Sequence, residues 1–495
     1  MPNELKGASD NNYMSKAING VASLYRFSSN TFFAFMSVPR AFIDTYKIWK
    51  NPEHFILNDL YGRAKKSSIS FGDIGLPSSC LPKLVLVAGS RSNVLQVADY
   101  GEKNGDTAAR ALFADVVKMT GIKTIANLQG KEASEQRGKL KPHITGELSL
   151  SNAISVTQEV FHRGIQKWEY DKSFQDNITH MIVNILGQTV YSIPSVEMKY
   201  IPLLRNASSL LFANDSKSQK FKETIKDMAA MNDDLLARHG QDIFNSENYI
   251  KDQVTLDGTE TSSEQIKKVL DTRGASGLLV EGNLSGITMV AIAYINLQTE
   301  IKDNLLAELQ DYQDTHHEIK QRALLDNKTF PYLDSVYKEA LRFLSPHAVL
   351  ARKTSMPTTL KIKDGNGNMS SHVIPRHSVL FSPIRVIHHD PRYWERPECF
   401  NPSRFSKNSE ANSGYADEHL FPFSIGKRSC PAVSGFAEVV FKSLILESLK
   451  YDIKLDQELE DIPVNVMHAH WKKEYFTKEI KFQYTTEVVR NNMRM

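Results

Sequence analysis

Three cysteines occur in 495 residues, Cys80, Cys399 and Cys430, and the last stands in a segment suited to chemistry. That segment is FPFSIGKRSCPAVSGFAEVVFKSLILESL, residues 421–449. Pro431 suits the first position of a helix, and Val433, Phe436, Val440 and Leu444 recur at helical spacing. The expectation is a sulfur at the positive end of a helix dipole, beside Lys427 and Arg428, where thiolate is favoured. Gly426 permits a tight turn that aims backbone N–H groups at the sulfur. Three roles are open to such a residue. It can be a buried structural thiol, a nucleophile with His388 or His389 as base, or a haem thiolate ligand.

The spacing separates these roles. Phe423-x-x-Gly426-x-Arg428-x-Cys430, followed by a helix, resembles the haem-binding loop of the cytochrome P450 family. Where that loop usually has Gly two places after Cys, this chain has Ala432. The resemblance implies Cys430 as proximal thiolate of haem b, in a loop shaped by Phe423 and Gly426. It also implies Arg428 as a partner of a haem propionate. Arg352, ten residues after Arg342, matches a second propionate arginine. A third partner in the family comes from W-x-x-x-R. Here that stretch is Ala133-Ser134-Glu135-Gln136-Arg137, with Arg137 in place, no tryptophan, and Lys141 one turn on.

Glu339-Ala340-Leu341-Arg342 places an acid and a base at i, i+3 on one helix face. It lies 91 residues before Cys430, with Asn401-Pro402-Ser403-Arg404-Phe405 in between. This arrangement is similar to the family's buried network, in which Glu339, Arg342 and Arg404 would hold the cysteine loop structurally. The run Val386-Ile387-His388-His389-Asp390-Pro391, with Trp394 and Pro397 after it, also looks like the family's stretch before that arginine. It argues against His388 and His389 as bases.

Opposite the cysteine, the family carries a helix reading roughly A-G-x-(D/E)-T. The corresponding residues are Glu281-Gly282-Asn283-Leu284-Ser285-Gly286. Ser285 keeps a hydroxyl, Leu284 replaces the acid, and Glu281 stands where a small residue is usual. At about 100° per residue, Glu281 and Ser285 lie about 40° apart and share a side. Four roles are open to Glu281: proton-delivering acid, sixth iron ligand, ester to a haem methyl, or binder of a substrate group or water. The ester resembles the fatty-acid ω-hydroxylase branch, although that branch retains its D-T pair.

These residues need elements to position them. Between Arg273 and Glu300 the only charge is Glu281, which reads as a long helix buried in a large protein rather than a membrane span. Residues 331–344 (PYLDSVYKEALRFL) read as another helix, and residues 145–245 as several amphipathic ones. Short strand-like runs stand at 68–71, 81–88, 359–363 and 378–381. The expected fold class is mainly α with a minor β region, the cytochrome P450 fold. Residues 1–55 read as an N-terminal extension and 56–495 as a single domain.

Composition narrows the alternatives. Hydrophobic residues are 41% and charged residues 24%, which excludes collagen, a mostly disordered chain and a disulfide scaffold. The balance 60 − 57 = +3 calls for no nucleic acid. An odd cysteine count without C-x-x-C suits a reducing compartment. Phe27–Pro39 is apolar-rich but too short to span a bilayer, leaving burial or peripheral membrane contact. The expected protein is cytoplasmic and soluble, without a transmembrane helix. The resemblance implies monooxygenation of a small lipophilic substrate with O₂ and electrons from a separate reductase or ferredoxin. A reductase-free haem-thiolate enzyme and a non-enzymatic haem protein are the alternatives.

Overall fold

A computed structural model describes residues 61–73, 83–100, 130–166, 173–213, 219–250, 262–270, 281–316, 318–345, 350–406, 418–455 and 482–488, with isolated positions between them. Cys80, the whole 1–55 extension and the apolar run Phe27–Pro39 lie outside the described residues.

The expectation of a mainly α protein with a small β region holds. The chain begins with α1 (Tyr61–Ser67), β1 (Ile69–Asp73), β2 (Lys83–Val87) and α2 (Arg91–Ala98). Next come α3 (Gly130–Thr145), α4 (Glu147–Gln166), α5 (Phe174–Tyr191), α6 (Ile201–Ala213), α7 (Gln219–Asn245) and α8 (Ser262–Val269). The central helix is α9 (Glu281–Leu297), followed by α10 (Thr299–Gln313), α11 (Gln321–Leu325) and α12 (Pro331–Phe343). Strands β3 (Leu350–Lys353), β4 (Thr358–Lys363), β5 (Met369–Ile374) and β6 (Val379–Ser382) precede the short α13 (Ile384–His388). The chain then reaches α14 (Phe436–Ser448), β7 (Tyr451–Leu455) and β8 (Phe482–Val488).

Local chemistry explains several boundaries. The Ser173 hydroxyl caps α5 by accepting from the Asp176 amide at 3.1 Å. Pro331 opens α12, where a missing N–H costs nothing. Every residue from 284 to 295 on α9 is buried, as an all-round apolar helix requires. Gln298 adopts φ −111°, ψ 96° and ends it, and α10 restarts at Thr299.

Two hydrophobic cores result. One gathers α9 with α4, α5, α12 and α14. The other surrounds a sheet of order β1-β2-β6-β3, in which β2 runs parallel to β6 (Leu84 opposite Val379) and the other pairings are antiparallel. Strand β2, KLVLV, is buried at Leu84, Val85, Leu86 and Val87 because the sheet is covered on both faces. The segment 421–436 joins the two. Phe421 and Ile425 belong to the sheet core, while Phe423 and Phe436 pack into the helical one. Cys430 therefore sits where the cores meet.

Candidate functional site

The cysteine loop is a series of tight turns. Ser424 (φ 61°) and Gly426 (φ 78°) both take the left-handed conformation. The Ser424 amide donates to the Phe421 carbonyl at 2.9 Å, and the Cys430 amide to the Phe423 carbonyl at 2.9 Å. At Gly426 only hydrogen fits. A Cβ there would collide with Asp99 Oδ1 and would lie 3.4 Å from Ala98 Cβ at the end of α2. Asp99 Oδ1 is buried without a hydrogen-bond partner among the described residues.

The environment of Cys430 differs from the expectation in two ways. Pro431 opens a short 3₁₀ turn, Pro431–Ser434, and Gly435 (φ 124°) separates it from α14, which starts only at Phe436. The sulfur therefore does not sit on the end of the α-helix dipole. Val433 is correspondingly exposed, while Phe436, Val440 and Leu444 are buried. The net effect on the thiol is also upward. Desolvation raises Cys430, and hydrogen bonds from the Ala432 and Val433 amides together with the Arg137 guanidinium pull it down less. The residue as a whole is only partly buried. A desolvated sulfur faced by two amides and a guanidinium suits a bound cation that would hold it as thiolate.

The three arginines surround this loop, each on a backbone carbonyl. Arg137, on α3, donates through Nη2 to the Ser429 carbonyl at 2.7 Å. Arg428 donates through Nη2 to Leu128 at 2.8 Å. Arg352, on β3, donates through Nε and Nη2 to the Ala98 carbonyl at 3.2 and 3.1 Å, and Ala98 packs on Gly426.

Behind the loop, Glu339, Arg342 and Arg404 come together. Glu339 and Arg342 are fully buried. Arg342 meets the Glu339 carboxylate in a fork, Nε to Oε2 at 2.7 Å and Nη2 to Oε1 at 2.8 Å. Its Nη1 donates to the carbonyls of His388 and Pro397, both at 2.9 Å. Arg404 Nε donates to Glu339 Oε1 at 3.2 Å, and the Asn401 amide to the same oxygen at 2.8 Å. The Cys399 carbonyl accepts from both arginines at 3.1 and 3.2 Å. Cys399 thus serves through its backbone.

His388 and His389 are committed elsewhere. His388 Nε2 accepts the Phe421 amide at 2.9 Å. His389 Nδ1 donates to the Arg385 carbonyl at 3.0 Å. Burial, first of all, holds His388 far below the usual imidazole range and His389 down to about 3, with Arg342 adding to both. Neither ring is placed as a base for Cys430.

On the opposite side, α9 begins at Glu281, but the side chains of Glu281 and Gly282 lie outside the described residues. Ser285 and Leu284 are buried. Thr288, three residues after Ser285, is fully buried with a hydroxyl that has no partner among the described residues. Its i, i+3 spacing from Ser285 was the available signal. His388 and Asp99 carried none, since their partners are distant in sequence.

Residues 284–463 match the family model described as Cytochrome P450. The chain is 27% identical over 326 residues to Cytochrome P450 2J5 of Mus musculus, covering 60% of this chain and 56% of that one. It is 35% identical over 152 residues to (+)-menthofuran synthase of Mentha piperita, covering 29% of each. The alignments span 56% and 29% of these two relatives' own lengths. Among solved structures, the retinoic-acid-bound cyanobacterial CYP120A1 aligns over 84% of this chain and 91% of its own, with TM-score 0.61 and 14% identity. A zebra fish cytochrome P450 with abiraterone aligns over 84% and 95%, with TM-score 0.61 and 16% identity.

Proposed function

We propose that the chain, whose residues 284–463 match the cytochrome P450 family model, is a member of that family and a haem-thiolate monooxygenase in which Cys430 is the proximal ligand of haem b. The observation that carries this is the Cys430 sulfur itself, desolvated, faced by the Ala432 and Val433 amides and bordered by Arg137. When bound, the haem supplies activation of O₂ for insertion of one oxygen atom into a lipophilic substrate, with thiolate donation favouring O–O cleavage.

The chain's own residues supply the rest. Arg137, Arg428 and Arg352 are the cations available to the haem's two carboxylates, which need such partners when removed from water. The amides of Ala432 and Val433 orient and stabilise the sulfur charge. Ser285 offers a buried hydroxyl on α9, and Glu281, one turn earlier, is the acid nearest to it in sequence. Electrons come from a separate reductase or ferredoxin, and exposed Lys427 beside the cysteine loop suits an acidic docking face on that partner. Among the described residues no helix is long and apolar enough to cross a membrane.

The test is a reduced-plus-CO spectrum of the wild type and of Cys430→Ala. A thiolate-type band that is lost in the variant is expected. A wild type without that band, or a variant that keeps it, sinks the reading. Acidic solvent extraction tests a Glu281–haem ester, since complete extraction of haem removes it.

A second reading is favoured by one observation. Leu284, buried on α9, occupies the place of the family's acid. A peroxygenase, isomerase or dehydratase needs no such relay. Turnover with peroxide or a lipid hydroperoxide alone, compared with a surrogate redox partner, separates the two readings.

A further inference from the structure

We propose that His388 is the positioning residue that couples the buried Glu339–Arg342–Arg404 network to the Cys430 loop, through one hydrogen bond from the Phe421 amide to its Nε2. The inference deepens the reading of Cys430 as iron ligand and rests on it for its catalytic meaning, not for its geometry.

His388 is fully buried and is held at both ends. Its carbonyl accepts from Arg342 Nη1 at 2.9 Å, which fixes its backbone to the network. Its ring accepts from the Phe421 amide at 2.9 Å, with the two rings 6.1 Å apart. From Phe421 the bonds continue into the loop. The Phe421 carbonyl holds the left-handed Ser424, and the Phe423 carbonyl holds the Cys430 amide. The path from the Glu339 carboxylate to the Cys430 backbone is therefore made of hydrogen bonds between short covalent links.

The chemistry of this contact is restrictive. An amide can only donate, so Nε2 must be the bare nitrogen and the proton of the neutral ring resides on Nδ1. Nδ1 is buried and has no hydrogen-bond partner among the described residues. A buried donor left unmade is costly, so the ring is kept for what Nε2 does. A side chain that offers only an acceptor at that point should serve equally. One that fills the space without an acceptor should strand the Phe421 amide and loosen the entry to the loop.

The experiment compares wild type, His388→Phe, which keeps an aromatic ring without an acceptor, and His388→Gln, whose Oε1 accepts. Amide hydrogen exchange by mass spectrometry is followed in peptides covering residues 418–431 and, as a reference, residues 174–191. In H388F, exchange in the loop peptide is expected to accelerate about 10-fold, the equivalent of one stranded buried amide. The reference should stay unchanged and H388Q should return most of the protection. In the reduced CO complex, H388F should shift population from the thiolate-type to the thiol-type band, and H388Q should not. Loop exchange in H388F equal to wild type, acceleration spread evenly over both peptides, or H388Q as fast as H388F each overturns the proposal. Should H388F fail to accumulate, His388→Leu against H388Q gives the same contrast. A wild type without a thiolate-type band sinks the functional reading alone, because the exchange comparison still decides the coupling.

Discussion

Replacing Glu339 by alanine tests whether the buried network is a stabilising device or incidental packing. Its carboxylate accepts four hydrogen bonds, from Arg342 Nε and Nη2, Arg404 Nε and the Asn401 amide, at 2.7 to 3.2 Å. Arg342 is fully buried and Arg404 is nearly so. Truncation leaves two guanidiniums without their counter-charge in a site closed to water, although each retains backbone carbonyl partners. Breaking a buried pair in this way costs about 3–5 kcal/mol, and the stranded Asn401 amide adds about 1–3 kcal/mol when nothing relaxes. Relaxation makes these less than additive. The expected loss is about 4 kcal/mol, roughly a thousand-fold in the folded-to-unfolded ratio. Against a typical reserve of about 5–15 kcal/mol that is severe. Urea titration followed by fluorescence measures it, with Glu339→Gln as a control that keeps the shape and one acceptor but removes the charge. E339Q should fall between wild type and E339A. A double-mutant cycle of Glu339→Ala with Arg404→Ala should give a coupling of at least about 1 kcal/mol, since Arg404 Nε donates directly to Glu339 Oε1. A loss below about 1 kcal/mol in E339A, or strict additivity in the cycle, would refute the reasoning.

Two further substitutions probe other parts of the fold. Gly426→Ala must hold a left-handed φ of 78° and push a methyl group into Asp99. It should cost about 1 kcal/mol for the backbone alone and more for the clash. Adding Asp99→Gly should recover the clash component only, as thermal melts of the single and double variants would show. Lys442→Met removes a fully buried ammonium that bonds Glu438 Oε1 at 2.5 Å, Leu324 O at 2.8 Å and Asp334 Oδ1 at 3.2 Å. It should destabilise by about 3 kcal/mol near neutral pH. Burial already holds Glu438 above the usual carboxylate range despite Lys442. A carboxyl raised on folding contributes stability below its unfolded value and loses it as pH rises through its folded value. Without the lysine Glu438 rises further, so the penalty should be smaller at about pH 5 than at about pH 8. A penalty independent of pH would refute this assignment of the charge.

Much was legible in the chain because it depends on neighbours in sequence. The i, i+3 spacing of Glu339 and Arg342 puts them on one face of α12, and helical geometry alone makes their fork available. The uncharged, predominantly apolar character of residues 284–295 requires a buried helix wherever it sits. The spacing from Phe423 to Cys430, with Gly426 inside it, encodes a tight turn that only glycine closes. Other features depended on groups brought from far along the chain. The Arg342 guanidinium completes its bonds with carbonyls of residues 388, 397 and 399, and Arg352 finds its own at Ala98. His388 acquires a role only because the sheet core brings Phe421 against it. The thiol of Cys430 gives the same lesson about charge. Pro431, Lys427 and Arg428 suggested a lowered value, but desolvation at the meeting of two cores, and a helix delayed to Phe436 by Gly435, reversed the sign. Sequence fixes periodicity and turn chemistry because these are local. Solvent exclusion is a property of everything packed around a group, so the tertiary structure alone decides which charges are stabilised and which backbone groups hold them.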